Sequence, residues 1–239
     1  MKLLLFLFTC LLPAFGQAAE VTASVTGRVV FQGVPPPEFV FHETWPVWDQ
    51  LHTNKPTTRH YVVGTNGGLA NVLVVIRAEF DARQLPPVST NVVTMDCVAC
   101  QLHPYVIAAR VGQPVLVRNS SPLMENLHVT PRVNRESNFG FLRGIARTMT
   151  FDAPEEFIRV KGDVYPWFFG YICVVGHPFF AVTGPDGNFA LPTGLPDGTY
   201  TLEAVHHRAG TQRQEITVKQ GRAAAVEFIF KAGERQKLR

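Results

Sequence analysis

Gly and Pro cut this sequence into short apolar stretches so regularly that no window sustains a helical period flanked by caps. The stretches 25–31, 69–76, 106–117 (around a Val111-Gly112-Gln113-Pro114 turn), 157–160, 171–175, 199–204, 214–218 and 224–230 are rich in Val, Ile, Phe and Tyr and are predicted as strands. Such spacing, with turn signals between the strands, favours packed sandwiches over a parallel sheet, so the expected fold class is all-β throughout. Pro35, Pro36 and Pro37 open a long irregular stretch to about His60, in which Trp45 and Trp48 are expected to clamp the loop onto the core.

The first 19 residues obey a different rule. Lys2 precedes an apolar run from residue 3 to 15, and Gly16, Gln17, Ala18 and Ala19 supply a small-residue cleavage site, so residues 1–19 are expected to be a secretory signal. The run falls short of the roughly 20 residues a bilayer requires and Pro13 interrupts it. No later segment is apolar enough to span, which leaves a periplasmic or secreted chain with no membrane span after signal removal. Lys and Arg number 22 against 19 Asp and Glu, a near balance that argues against a nucleic-acid partner. Residues 232–239 form a basic tail, expected to be solvated.

The C-terminal third carries the clearest turn chemistry. Gly184-Pro185-Asp186-Gly187 and Leu195-Pro196-Asp197-Gly198 each set a Gly where a tight turn is expected to need positive φ. Asp186, Gly187, Phe189 and Leu191, followed by Leu195, Pro196, Gly198, Tyr200 and Leu202, resemble the carboxypeptidase regulatory-like domain, a transthyretin-type sandwich. The opening motifs of that family are matched far upstream by Gly27-Arg28-Val29, Gly33-Val34-Pro35 and Ala70-Asn71-Val72-Leu73-Val74. The order of these motifs implies a discontinuous sandwich made of residues 20–86 plus 183–231, with residues 87–182 inserted in it.

The insertion resembles a cupredoxin, a Greek-key sandwich, through Val111-Gly112-Gln113, the strand after it, Asn119-Ser120-Ser121 with Asn126, and the strand-loop-strand of 157–175. Related exported proteins that combine both modules, often called methylamine utilization proteins, carry Cys-Asp-Val-His-Pro-Trp-Met on the last loop. This chain reads Gly162-Asp163-Val164-Tyr165-Pro166-Trp167-Phe168. Residue on residue, the four copper-ligand positions of the family fall at Glu125, Gly162, Tyr165 and Phe168. A type 1 centre needs two imidazoles and a thiolate with a weak axial thioether, and none of these four side chains supplies one. The resemblance thus implies a scaffold that keeps its loop shape, holds no copper and needs no cofactor, with Tyr165 and Phe168 filling the vacated space. Its transthyretin-type part is related to carbohydrate-binding folds.

Other residues that could carry chemistry read as structural. Alternation sets Asn126 and His128 on one face of a strand and Glu125 and Leu127 on the other, so Glu125 and His128 make poor partners for one ion. His103, His177 and the pair His206-His207 lack ligand spacing, with His177 expected to brace the junction between modules. Cys97-Val98-Ala99-Cys100 lacks the His that haem attachment requires, the second ligand pair of a zinc site and the helix of a thioredoxin-like motif. The reading adopted is a disulfide to Cys173 from Cys97 or Cys100, with Cys100 and Cys173 named as the pair. Asn119-Ser120-Ser121 also fits a glycosylation sequon.

No nucleophile stands at readable spacing from a base, and the chain leaves no room for an added catalytic domain, whether a polysaccharide lyase or a copper oxidase. The expected function is therefore a non-enzymatic binding or structural role at the cell envelope, presenting His128, Tyr165, Trp167 and Phe168 to a protein or glycan. The alternative is a periplasmic electron-transfer protein holding copper or another ion through Glu125, His128, His103 or the cysteines.

Overall fold

A computed structural model describes residues 25–43 and 46–233. The secretory signal expected at 1–19, Trp45 and residues 234–239 of the basic tail lie outside them. The described chain begins with β1 (Val25–Gln32), a short helix α1 (Pro46–Leu51) and β2 (Leu73–Arg77). Then come β3 (Val93–Val98), β4 (Gln101–His103), β5 (Val106–Arg110), β6 (Val115–Asn119), β7 (Glu125–Thr130), β8 (Ser137–Phe141) and β9 (Ala146–Met149). It continues with β10 (Glu155–Lys161), β11 (Phe169–Val175), β12 (Phe180–Val182), β13 (Asn188–Leu191), β14 (Gly198–His206), β15 (Gly210–Val218) and β16 (Val226–Lys231). The fold is all-β, and α1 is the exception to the strand-only expectation.

Four sheets build two sandwiches. One pairs the sheet β13-β1-β16 with the sheet β12-β2-β14-β15; the other pairs β4-β3-β6-β9 with β5-β11-β10-β7-β8. β12 hydrogen-bonds to β2, so residues 180–182, assigned from sequence to the inserted module, stand in the sheet of the first sandwich. The physical reason is register: Phe180, Ala181 and Val182 pair with Val75, Val74 and Leu73.

Each sandwich closes over its own apolar core. Val25, Val29, Val74, Ile76, Leu202 and Phe228 belong to the first, and Met95, Val117, Leu127, Phe141, Ile172 and Trp167 to the second. β2 and β11 serve two interiors at once. Val74 and Ile76 face the core of their own sandwich, while Leu73 and Val75 meet Tyr105, Val106, Phe169, Cys173 and Val175 in a third cluster between the sandwiches. Ile172 and Val174 of β11 face the opposite way, into the second core. A strand apolar on both faces reads as an unbroken hydrophobic run, which is how Val72 to Ile76 reads.

The Gly184-Pro185-Asp186-Gly187 turn closes as the sequence implies. Gly187 sits at φ 76°, its N–H donates to Gly184 C=O at 2.9 Å, and a Cβ there would lie 2.1 Å from the Val29 carbonyl oxygen. The second motif differs from expectation: Gly198 is not at positive φ and opens β14, and the positive φ, 94°, falls on Gly194, one residue before the motif. Trp48 of α1 is 2 % exposed and stacks on His52 while meeting Trp167 edge-on at 5.4 Å, so it clamps the irregular stretch onto the second core.

Candidate functional site

At one end of the second sandwich, β7 and the loop between β10 and β11 bring together the four positions where the resemblance implies a lost copper centre. Along β7, Glu125, Leu127 and Val129 are buried and Asn126, His128 and Thr130 point outward. Glu125 thus turns a carboxylate into the end of the core, where it accepts hydrogen bonds from the backbone N–H groups of Asn126 (2.9 Å), Tyr165 (3.0 Å) and Val164 (3.3 Å). Burial raises its pKa above the ordinary 4.5, and those N–H groups oppose the shift.

Gly162 explains how the carboxylate fits. A Cβ at that position would lie 2.2 Å from Cδ of Glu125 and 2.3 Å from its Oε2. The carboxylate therefore stands where a cysteine side chain at 162 would project. The loop is tied by Gly162 N–H to Phe168 C=O and by Phe168 N–H to Tyr165 C=O, both 3.0 Å. Phe168 is fully buried, with Phe141 at 6.3 Å, and Trp167 is 2 % exposed, its indole N–H sealed away without an acceptor among the described residues. These side chains do not fit a type 1 copper centre, because Glu125 spends its oxygens on backbone N–H groups and fills the space a thiolate needs.

Two site assignments made from sequence are corrected here. Trp167 and Phe168 are core residues, not an interaction surface, because the loop folds them beneath Trp48 and against Phe141. Tyr165 is half-buried beside Trp167, at 5.3 Å. The disulfide between Cys100 and Cys173, or from Cys97 to Cys173, does not form: all three cysteines are buried and free. Cys97 and Cys100 belong to the second core, whereas Cys173 points from the opposite face of its sheet into the cluster between the sandwiches. Burial pushes the Cys97 and Cys173 thiols up to about 12 and raises Cys100 as well, so all three stay protonated and unreactive at neutral pH. Ala99 and Cys100, both at positive φ, form the two-residue turn joining β3 to β4.

His128 lies on the solvent side of β7, between Glu136 (2.6 Å from Nε2) and Asp163 (3.1 Å from Nδ1). Asp163 also receives Asn126, Asn138 and Lys161, so it staples the loop to β7 and β8, and these partners hold its carboxyl well below the usual range. Bonding to Glu136 and then Asp163 raises the His128 pKa above 6.5. A raised value means that the bonds stabilise the fold fully below pH 6.5 and lose that effect as pH rises through the folded value. A proton-detected titration should find this imidazole charged beyond pH 6.5, and Glu136→Gln with Asp163→Asn should return it towards 6.5; an unchanged titration would refute the assignment.

Sequence spacing missed a second cluster, because its members are remote in the chain. Between the sandwiches, His60 Nδ1 lies 2.9 Å from His207 Nε2, with the Tyr105 hydroxyl 3.4 Å from the same Nδ1. Arg208 donates to His60 Nε2 at 3.3 Å, so Nδ1 carries the proton given to His207. That leaves His207 Nδ1–H buried without an acceptor among the described residues. Burial lowers His206 to about 4 and His207 to about 2, so both are neutral. His177 donates from Nε2 to Ile76 C=O at 2.9 Å and accepts Phe179 N–H at Nδ1, bracing the passage into β12. Among the described residues, no group of three or more His, Cys, Asp or Glu side chains is arranged to hold a metal ion.

No family model matches the chain, and no characterised protein matches it by sequence. Among solved structures, 41 % of the chain is similar to a Cu-containing nitrite reductase from Thermus scotoductus SA-01, at 20 % identity and TM-score 0.32. The matched region spans 27 % of that reductase. In addition, 43 % of the chain is similar to 98 % of amicyanin, with 19 % identity and TM-score 0.32 for a proline-to-glycine variant in its reduced Cu(I) form at pH 4. A second proline-to-glycine variant of amicyanin, in its oxidized form, is similar over the same shares of the two chains at 15 % identity and TM-score 0.33. No helix among the described residues is long and apolar enough to cross a membrane.

Proposed function

We propose that this chain is an exported, non-catalytic binding protein in which a cupredoxin-like sandwich, set within a carboxypeptidase regulatory-like one, no longer transfers electrons. The observation that carries this reading is the Glu125 carboxylate occupying the space beside Gly162 while bonded to three backbone N–H groups. A redox centre needs donor atoms free to bind the metal, and here the polar group at that end is already satisfied by the protein.

The surface of the same end supports a protein partner over a glycan. Met124, Leu142 and Val164, adjoining Glu125 and its strand partner Phe141, are 68, 51 and 52 % exposed, forming an aliphatic rim. Glycan platforms stack sugars on flat aromatic faces, and Trp167 and Phe168 are withdrawn into the core. An aliphatic rim around a rigid, satisfied centre suits a protein surface.

Titrating copper(II) into the purified chain tests the reading. The expected result is no intense blue absorption, together with no stoichiometric metal in the protein as isolated. A blue species, or one bound ion per chain, would overturn it in favour of a periplasmic electron-transfer or metal-binding protein.

A further inference from the structure

Where the edge strands β5 and β12 of the two sandwiches run near one another, they leave a cleft of about 640 Å³. Its walls are mainly apolar, from Val62, Val93, Val106, Ala108, Phe180 and Val182. Polar side chains line it as well, Arg59, Asn71 and His103 among them. An apolar cavity of this size with a few convergent polar groups has the make-up of a small-molecule site.

Asn71 is the first sign that the cleft is built for a ligand. It is only 9 % exposed, and its side-chain amide has no hydrogen-bond partner among the described residues. Its backbone sits at φ 64°, in the left-handed region that Asn enters more readily than most residues other than Gly. With no such partner, this amide is left to the solvent of the cleft, where a ligand can take the place of water as its hydrogen-bond partner.

Arg59 is the second sign. Its Nη2 donates to Leu102 C=O at 3.0 Å, and its guanidinium lies 4.7 Å over the Tyr105 ring. Burial lowers its pKa to about 10, which still leaves a cation at neutral pH. None of the ion pairs among the described residues includes it, although a guanidinium holds five donors. His103 is electrostatically coupled to Arg59 and shifted below 6.5, mainly by burial, so it stands neutral beside the cation.

The strand edge adds backbone groups. Tyr171 N–H donates to Tyr105 C=O and Val111 N–H to Val175 C=O, bracketing a parallel ladder in which alternate residues of β5 face β11. Val106 and Ala108, one residue out of phase, direct their N–H and C=O groups towards the open edge that lines the cleft.

We propose that this cleft binds a small amphipathic carboxylate the size of an arylalkanoic acid, its carboxylate met by Arg59 and its body held against Val106, Ala108, Phe180 and Val182. One cation in an apolar surround matches one negative charge; a phosphate dianion would bring an uncompensated charge out of water. The proposal does not depend on the state of the Glu125 end, so failure of either leaves the other standing.

The test is an NMR titration of the methyl-labelled purified chain with 3-phenylpropanoate, octanoate and the neutral 3-phenylpropanamide. Saturable shifts are expected at the Val62, Val106, Ala108 and Val182 methyls for at least one acid, with the amide at least about tenfold weaker than the aryl acid. Arg59→Gln should weaken acid binding by about tenfold while the thermal midpoint holds, and Arg59→Lys should restore part of it. Should Arg59→Gln fail to fold, the comparison of acid with amide on the unaltered chain decides alone. The proposal is overturned if neither acid saturates, if acid and amide bind equally, or if the shifts fall outside the cleft.

Discussion

Glu125→Ala should destabilise the chain by about 2 kcal/mol in denaturant unfolding, because it takes the acceptor from three part-buried N–H donors at once. Gly162→Ala alone should cost about 1–3 kcal/mol, since its Cβ would lie 2.2 Å from Glu125 Cδ. The double variant should cost less than the two together, by about 1 kcal/mol or more, because the new methyl enters the space the carboxylate has left. Strict additivity in this cycle would show that Glu125 and Gly162 do not share one packing solution. The sign of the pH effect follows from the raised pKa of Glu125: its protonation favours the folded state as pH falls through that folded value, so this residue does not drive acid unfolding. Glu155 has the opposite sign. Backbone N–H groups of Arg132, Val133 and Asn134 hold it below 4.5, so its stabilisation is present above pH 4.5 and is lost as pH falls through the lower folded value.

Arg77→Met should cost about 2 kcal/mol, by removing the side chain that ties the two sandwiches together through charge. Arg77 bonds Glu203 of β14 and Glu156 of β10, one carboxylate from each sandwich. Glu203 has only 3 % of its side chain exposed and keeps Arg213 at 2.6 Å, so the loss is smaller than for a buried carboxylate left wholly unpaired. The guanidinium is itself 40 % exposed, which screens its contribution further. Chemical denaturation should show the lower midpoint, and any split into two transitions would assign the coupling of the sandwiches to this contact in addition to the apolar cluster around Leu73 and Cys173. An unchanged midpoint would place the coupling in the apolar cluster alone.

The binding reading and the cleft depend on different parts of the chain. At the Glu125 end, Asp163 staples the loop to β7 and β8, and Trp167 packs under Trp48. Gly162 and the Glu125 carboxylate form one arrangement, because the missing Cβ at 162 leaves the space the carboxylate fills.

The all-β class was written in the sequence because strand and turn preferences are local: β-branched runs, and Gly or Pro at the turns, act over a few residues. That Glu125 and His128 lie on opposite faces followed equally from the two-residue repeat of a strand, while packing decided that Glu125 turns inward. What remained hidden required knowing which strands become neighbours. Cys173 was expected to meet Cys100, yet β11 turns Cys173 away from the core that holds Cys100, and only packing showed which face of β11 it occupies. His60 finds His207 across 147 residues, and Arg59, Asn71 and His103 reach one cleft from three separate segments. Local sequence determined the strands and the faces they present; the close packing of two sandwiches, which is a property of the whole chain, decided what those faces meet.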